Sequence, residues 1–255
     1  MALELITIPC LTDNYAYLIH NPDSGETALI DVPEAAPILA ALAERSWPLH
    51  YILITHHHDD HIQGTAAVVA ATGAQVIGAA ADVHRLPPLN HQVRDGETIT
   101  VCGHACHILD VSGHSIGHIA FHIPTADLVF TADSLMALGC GRLFEGTPAQ
   151  AYASLMKLAA LPGDPWVCSG HEYTAGNARF AATLEQDNPA LISRIADVTA
   201  RREKGQPTVP SRLSDERATN PYLRAHLPAL KAAVGLPNAD ATTVFAEIRA
   251  RKDRF

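Results

Sequence analysis

No run of 18 apolar residues occurs in the 255-residue chain, so a membrane-spanning helix is not part of its plan. The opening MALELITIPCLTDN lacks the basic end and long apolar stretch of a secretory signal, and cytoplasmic residence is the expectation. Cysteine is scarce: Cys10, Cys102, Cys106, Cys140 and Cys168 are odd in number, scattered and without a CxxC pair. That pattern excludes a disulfide framework and predicts reduced thiols. Positive charge is thin in the front of the chain, where residues 1–200 carry 7 Lys+Arg against 21 Asp+Glu. So acidic a stretch is a poor nucleic-acid surface, although bound divalent cations would offset part of the charge. Residues 201–255 reverse the balance with 11 basic against 6 acidic residues, a tail able to serve an anionic ligand or to solvate helices. Internal repeats and low-complexity tracts are absent apart from a general richness in alanine.

What is present is a core-forming composition, 47% hydrophobic and 18% charged, which excludes a disordered chain or a coiled coil. The length suits one large domain or a domain with a smaller appendage. The abundant residue is histidine, at 15, the side chain best suited to neutral metal ligation at physiological pH.

Short β-branched and aromatic runs separated by turn clusters predict strands at 3–8, 15–19 and 27–32, followed by a helix over 33–45 and a compact strand at 51–55. A helix over 61–72 ended by Gly73 and a strand at 74–79 complete that pattern. A second β-rich stretch covers 98–103, 104–113, 119–123 and 128–133. In the helix that follows, Tyr152, Leu155, Met156 and Ala159 fall on one face, and 165–170 closes as a strand. Beyond about residue 174 strand signals fade and 178–186, 189–204 and 241–252 read as helices. Two βα-rich halves and a helical tail predict a sandwich with its helices outside, and a boundary near residue 173.

The strongest chemical signal is Thr55-His56-His57-His58-Asp59-Asp60-His61, directly after the strand at 51–54. His56 and His58 can share one face of an extended segment, while Asp60 and His61 lie where the chain turns into a helix. Nitrogen and carboxylate donors this close suit Zn²⁺, Fe or Mn²⁺, and a local cluster costs little loop-closure entropy. Three further residues, His114, Asp133 and His171, sit at the ends of later strands, where α/β layers gather their sites. Each is weak alone, since a lone Asp after a strand is as often a helix cap; their joint occurrence downstream of the cluster is what matters. The segment Cys102-Gly103-His104-Ala105-Cys106-His107 also carries four ligand types, but alternation would send 102, 104 and 106 one way and 107 the other, so it reads as strand packing. Cys140 reads as a small buried residue.

The joint pattern of HxHxDH, a later His, an Asp and a final His resembles the metallo-β-lactamase superfamily. More closely, TDNYAYLI, THHHDDH, SGHSIGH, FTADSLMALGCGRLFEGT, CSGHEYT, NPYLR and RARKDRF resemble glyoxalase II, the hydroxyacylglutathione hydrolases, over nearly the whole chain. The resemblance implies an α/β fold, a four-layer αββα metallo-β-lactamase sandwich over 1–173 with a C-terminal helical recognition domain over 174–255. It implies two divalent metal ions, Zn foremost with Fe or Mn as alternatives, with His56, His58 and His114 on one, Asp60, His61 and His171 on the other, and Asp133 shared. Such a site lowers the pKa of bound water and stabilises a developing oxyanion. The implied substrate is S-D-lactoylglutathione or a similar glutathione thioester, cleaved by a monomeric enzyme to glutathione and a 2-hydroxy acid, with Asp60 and Asp133 as catalytic residues. Glutathione contacts carry over to Arg142, Phe144, Tyr173, Arg249 and Lys252. Arg142 stands where the family often has Lys, and Phe144 where it often has Tyr, which removes a hydroxyl from that contact. A lactonase or β-lactamase, a mononuclear iron dioxygenase acting on glutathione persulfide, and a non-catalytic metal-binding protein are the rival readings.

Overall fold

The structure is a computed structural model that describes residues 3–255, and its chain divides into two compact units. The first runs to Asp110 and takes in Ile116–Ala132; the second comprises Val111–Ser115 and Asp133–Phe255. No helix of the described residues is long and apolar enough to cross a membrane.

The first unit opens with β1 (Glu4–Cys10), β2 (Asn14–His20) and β3 (Thr27–Ile30), and continues through α1 (Ala35–Arg45), β4 (Tyr51–Leu53), α2 (Asp59–Ile62), α3 (Thr65–Thr72), β5 (Gln75–Ala79) and β6 (His91–Val93). These six strands form one sheet in sequence order, antiparallel from β1 to β3 and parallel from β3 to β6. A second layer holds β7 (Thr98–Val101), β8 (His104–Asp110), β9 (Ile119–Ile123) and β10 (Leu128–Ala132), each antiparallel to its sequence neighbour. β2 is buried at every position, because its two faces meet different layers. Ala16 and Leu18 pack with Ile38 and Leu42 of α1 and Val68 of α3, while the Tyr17 ring lies 5.8 Å from Phe130 of β10. The parallel strands β3, β4 and β5 all point the same way, and residues just past their carboxyl ends are Asp31, the histidine cluster and Asp82.

The expected helix over 61–72 is two short helices. Gly64 interrupts it because the backbone must pass Val32 and Ala35 closely: a Cβ at Gly64 would lie 2.9 Å from the Ala35 nitrogen. Gly73 is left-handed at the end of α3, where its missing Cβ removes the penalty. The alternation expected across Cys102 to His107 begins only at His104. Cys102 and Gly103, at φ 51° and 76°, form the two-residue turn between β7 and β8, the mirror-image geometry that hairpin twist favours.

The second unit contains the short pair β11 (Leu135–Met136) and β12 (Gly139–Cys140), then α4 (Pro148–Ala159), β13 (Trp166–Ser169), α5 (Thr174–Leu184), α6 (Pro189–Glu203), β14 (Ser211–Arg212), α7 (Leu213–Thr219), α8 (Pro228–Ala233) and α9 (Ala241–Asp253). β13 pairs with β14 in antiparallel register, a strand after residue 174 that two residues are too few to announce. The α4 face differs from expectation: Ala151, Ser154, Leu155 and Leu158 are its buried positions, and Tyr152 turns toward Phe245 of α9. Small residues win the inner face because the 112–113 backbone packs directly on it; a Cβ on Gly113 would lie 2.7 Å from Ala151, and Ser154 Oγ donates to the Ser112 carbonyl at 2.7 Å.

A buried carboxylate organises the β11–β12 hairpin. Glu216 accepts from Leu138 N at 2.9 Å, Ser211 Oγ at 2.6 Å and Asn220 Nδ2 at 3.0 Å, and pairs with Arg194. Asn220 also donates to the Met136 and Gly139 carbonyls, Asn177 to Ala137 and Arg249 to Cys140.

All five cysteines are free and buried. Burial raises the thiols of Cys10 and Cys140 to about 11 and those of Cys102 and Cys106 to about 12, and raises Cys168 as well. The native protein is expected to react with an aromatic disulfide reagent at pH 8 far more slowly than free cysteine, whose pKa is about 8.5, and to release all five thiols only on unfolding. Stoichiometric labelling of the folded protein within minutes would contradict this.

Candidate metal centre

In the first unit, residues 54–58 link β4 to α2 outside any strand or helix, and His58, in extended backbone, is the N-cap of α2, which carries Asp60 and His61 in its single turn. His56 and His61 are fully buried; His58 and Asp60 are partly exposed. The His56 ring centroid lies 4.8 Å from that of His58 and 4.3 Å from that of His61, and His56 Nε2 faces His58 Nδ1 at 3.2 Å.

Asp31, which sequence reasoning did not single out, fixes these rings. Its carboxylate accepts from Thr55 N at 2.8 Å, from Thr55 Oγ1 at 2.7 Å and from His61 Nδ1 at 2.8 Å. A carboxylate only accepts, so His61 donates through Nδ1, which in the neutral ring puts the lone pair on Nε2. Thr55 gives its one hydroxyl proton to Asp31, so it accepts from His56 Nδ1 at 3.0 Å, which in the neutral ring puts the His56 lone pair on Nε2. Asp31 sits at φ 57°, a costly conformation for a residue with a Cβ, held by these three bonds. The carboxylate of Asp60 lies 4.0 Å from His61 Nε2, and Asn14 Nδ2 bonds both its Oδ2, at 3.1 Å, and its backbone carbonyl, at 3.0 Å. Asp31, His56 and His61 each offer one ligand atom within 4.8 Å of the others. His57 is turned aside, its Nδ1 at 2.9 Å from Asp82, and the buried His118 ring lies 4.5 Å from His56.

The second unit assembles the other three predicted ligands by itself. Asp133 Oδ2 lies 3.5 Å from His114 Nε2 and 3.3 Å from His171 Nε2, and all three residues are buried. His114 Nδ1 donates to the Arg142 carbonyl at 2.7 Å, which in the neutral ring puts the lone pair on Nε2, the nitrogen facing Asp133. Gly141 makes this possible: a Cβ there would lie 2.1 Å from the Asp133 carbonyl oxygen and 2.8 Å from His114 Nδ1.

The predicted substrate contacts also fall in this unit. Phe144, 62% exposed, sets its ring against His114 at 5.4 Å, and Tyr173, also exposed, stacks on His171 at 4.6 Å. Arg249 is buried, giving Nη1 to Cys140 O and Nη2 to Asp253, both at 2.9 Å; the exposed Arg142 reaches the same Asp253 oxygen at 3.3 Å. Lys252 Nζ donates to Gly176 O at 3.1 Å beside the Phe180 and Phe255 rings, and burial, with Arg249 and Arg179 nearby, lowers its pKa. Cys102, His104, Cys106 and His107 form no ligand group: His104 and His107 bond Thr125 and Thr98. Asp31 and Asp82 escaped the sequence reading, and Thr55 and Asn14 lay inside quoted segments without a role of their own.

Residues 12–171 match the family model described as the metallo-β-lactamase superfamily, and residues 172–255 that of the hydroxyacylglutathione hydrolase C-terminus. A curated relative from Cereibacter sphaeroides, a hydroxyacylglutathione hydrolase, is 60% identical over 255 residues, covering all of both chains. Among solved structures, the BLEG-1 B3 metallo-β-lactamase is similar with a TM-score of 0.66 at 21% identity, covering 86% of this chain and 99% of that one. TTHA1623, solved in a di-iron-bound form, is similar with a TM-score of 0.57 at 28% identity, over 66% of this chain and 91% of that one. The metallo-β-lactamase fold with these His and Asp clusters suggests two metal ions per chain.

Asp31→Ala leaves three donors without their acceptor in a buried site, and a loss of about 3–5 kcal/mol in urea unfolding is expected. A variant within about 1 kcal/mol of the parent would show that these bonds do not hold the site.

Proposed function

The chain belongs to the hydroxyacylglutathione hydrolase family of the metallo-β-lactamase superfamily, a family of hydrolases, and on that premise we propose that it cleaves S-D-lactoylglutathione to glutathione and D-lactate, the second step of methylglyoxal detoxification. The observation that carries this reading is the donor set. His56, His61 and His114 each have Nδ1 engaged with an oxygen, so that in the neutral ring the lone pair lies on Nε2, as metal ligation requires. The donors fit two divalent ions: His56, His58 and His114 would hold one, Asp60, His61 and His171 the other, and Asp133 both. Nitrogen and carboxylate ligands in these proportions suit Zn²⁺ foremost, with Fe and Mn²⁺ also compatible. When bound, the ions supply polarisation of the thioester carbonyl and a water of lowered pKa.

The chain's own residues would do the rest. Asp60, with a half-exposed side chain steadied by Asn14, would accept the proton of the attacking water, while buried Asp133 lies between two imidazoles. The leaving group is a thiolate with an unperturbed pKa of about 8.5, so no strong acid is needed to expel it. Arg142, Arg249 and Lys252 give the helical region over 174–255 and its neighbourhood a positive field for the glutathione carboxylates, with Phe144 and Tyr173 as exposed rings beside the histidines. Five reduced thiols suit action in the cytoplasm, by a monomer.

Zinc-loaded protein is expected to consume S-D-lactoylglutathione rapidly, as followed by loss of thioester absorbance, and Asp133→Ala to abolish that turnover. A folded protein holding two metals per chain with no thioesterase activity would overturn the assignment. Phe144→Tyr restores a hydroxyl and is expected to lower KM by about 5–10-fold, the worth of one hydrogen bond, with kcat little changed. An unchanged KM would remove Phe144 from the substrate contacts.

A further inference from the structure

The carboxylate of Asp82 is fully buried just beyond the parallel strand β5, and no step above employs it. Its Oδ2 lies 2.9 Å from His57 Nδ1, and its Oδ1 takes the Nε proton of Arg85. Arg85 in turn donates through Nη2 to the Ile116 carbonyl at 2.9 Å. Gly117, at φ 81°, packs so closely that a Cβ there would lie 2.8 Å from Asp82 Cβ. The next residue is His118, whose ring lies 4.5 Å from His56, and one further on Ile119 N bonds the Thr55 carbonyl at 3.0 Å. One acid therefore ties the loop carrying His56, His57 and His58 to the turn at 116–118.

From this arrangement we infer that Asp82 is a positioning residue for the His56-His57-His58 segment, acting through His57 and, by way of Arg85, through the 116–118 turn. Asp31 settles the ring orientation of His56 and His61 but makes no bond to His57 or His58. His58 has backbone neighbours on either side, and on the His56 side its direction depends on where His57 is anchored. With His57 held by Asp82, the backbone on either side of it is fixed, and the His56 and His58 rings keep their 4.8 Å separation. Their facing nitrogens, 3.2 Å apart, are the product of that constraint.

The inference rests on the reading of this segment as metal-binding, and metal affinity tests it without recourse to turnover. Zn²⁺ affinity of the full chain is measured in competition with a chromophoric chelator, for the parent, Asp82→Ala and His57→Leu, with circular dichroism of each metal-free protein. Both folded variants are expected to bind Zn²⁺ about 10–100-fold more weakly, as loss of partners behind metal ligands commonly does. Parental affinity in either folded variant overturns the inference, even if its melting temperature has fallen, since that result marks a purely structural contact. Should Asp82→Ala fail to fold, His57→Leu, which leaves the Asp82–Arg85 pair intact, decides alone. A parent chain that takes up no Zn²⁺ defeats the metal reading and this inference with it, whereas two ions bound equally by all three proteins defeats the inference only.

Discussion

A carboxylate that receives three hydrogen bonds out of contact with water, at Asp31, is the constraint on which the first unit's chemistry depends. Bare imidazole nitrogens converging on one point repel each other as dipoles and have no reason to stay unless their opposite ring nitrogens are held. Asp31 does this for His61 directly and for His56 through the Thr55 hydroxyl, so one acid determines two tautomers. Its left-handed backbone is tolerated because removing it would strand all three donors. In the second unit the same task falls to a peptide carbonyl, that of Arg142, which holds His114.

The carbonyl of Arg142 is dependable because the segment leading to it is itself anchored. The β11–β12 hairpin has only two residues on each side, too little ladder to be stable alone, and side chains from the helical region complete its bonding. Asn177, Asn220 and Arg249 reach its carbonyls, and Glu216 takes the Leu138 amide. Helices distant in sequence thus fix the backbone that runs from Asp133 to Gly141. Arg249, read from the sequence as a substrate contact, is thereby also a structural bond to Cys140.

The parts of this arrangement that the sequence made legible are those whose cause is local. The histidine cluster lies within six residues, and its placement on an extended segment running into a helix follows from strand and turn signals alone. His114, Asp133 and His171 could be recognised only as a joint pattern, since each by itself has an ordinary reading. Asp31 could not be found because its partners are 24 and 30 residues away, and nothing at residue 31 distinguishes a ring-orienting acid from a turn residue. The buried face of α4 was misread for a related reason. Apolarity ranks Tyr152 and Met156 above Ala151 and Ser154, but close backbone approach at Gly113 selects for smallness. Likewise the break between α2 and α3 is imposed by Val32 and Ala35, remote in sequence from Gly64.

The interleaving of the two units has a consequence for how the chain is made. The first unit ends at Ala132, yet Val111–Ser115, which carries His114, belongs to the second. During synthesis, at about 5–20 residues per second, that five-residue segment emerges about 1–8 seconds before the partners it packs against. Its companions include Ala151 and the Arg142 carbonyl, whereas the segments on either side of it join β8 and β9 at once. Once β8 and β9 pair, Val111–Ser115 is part of the loop between them, and it stays without the Arg142 carbonyl and Ala151 until those residues have been synthesised.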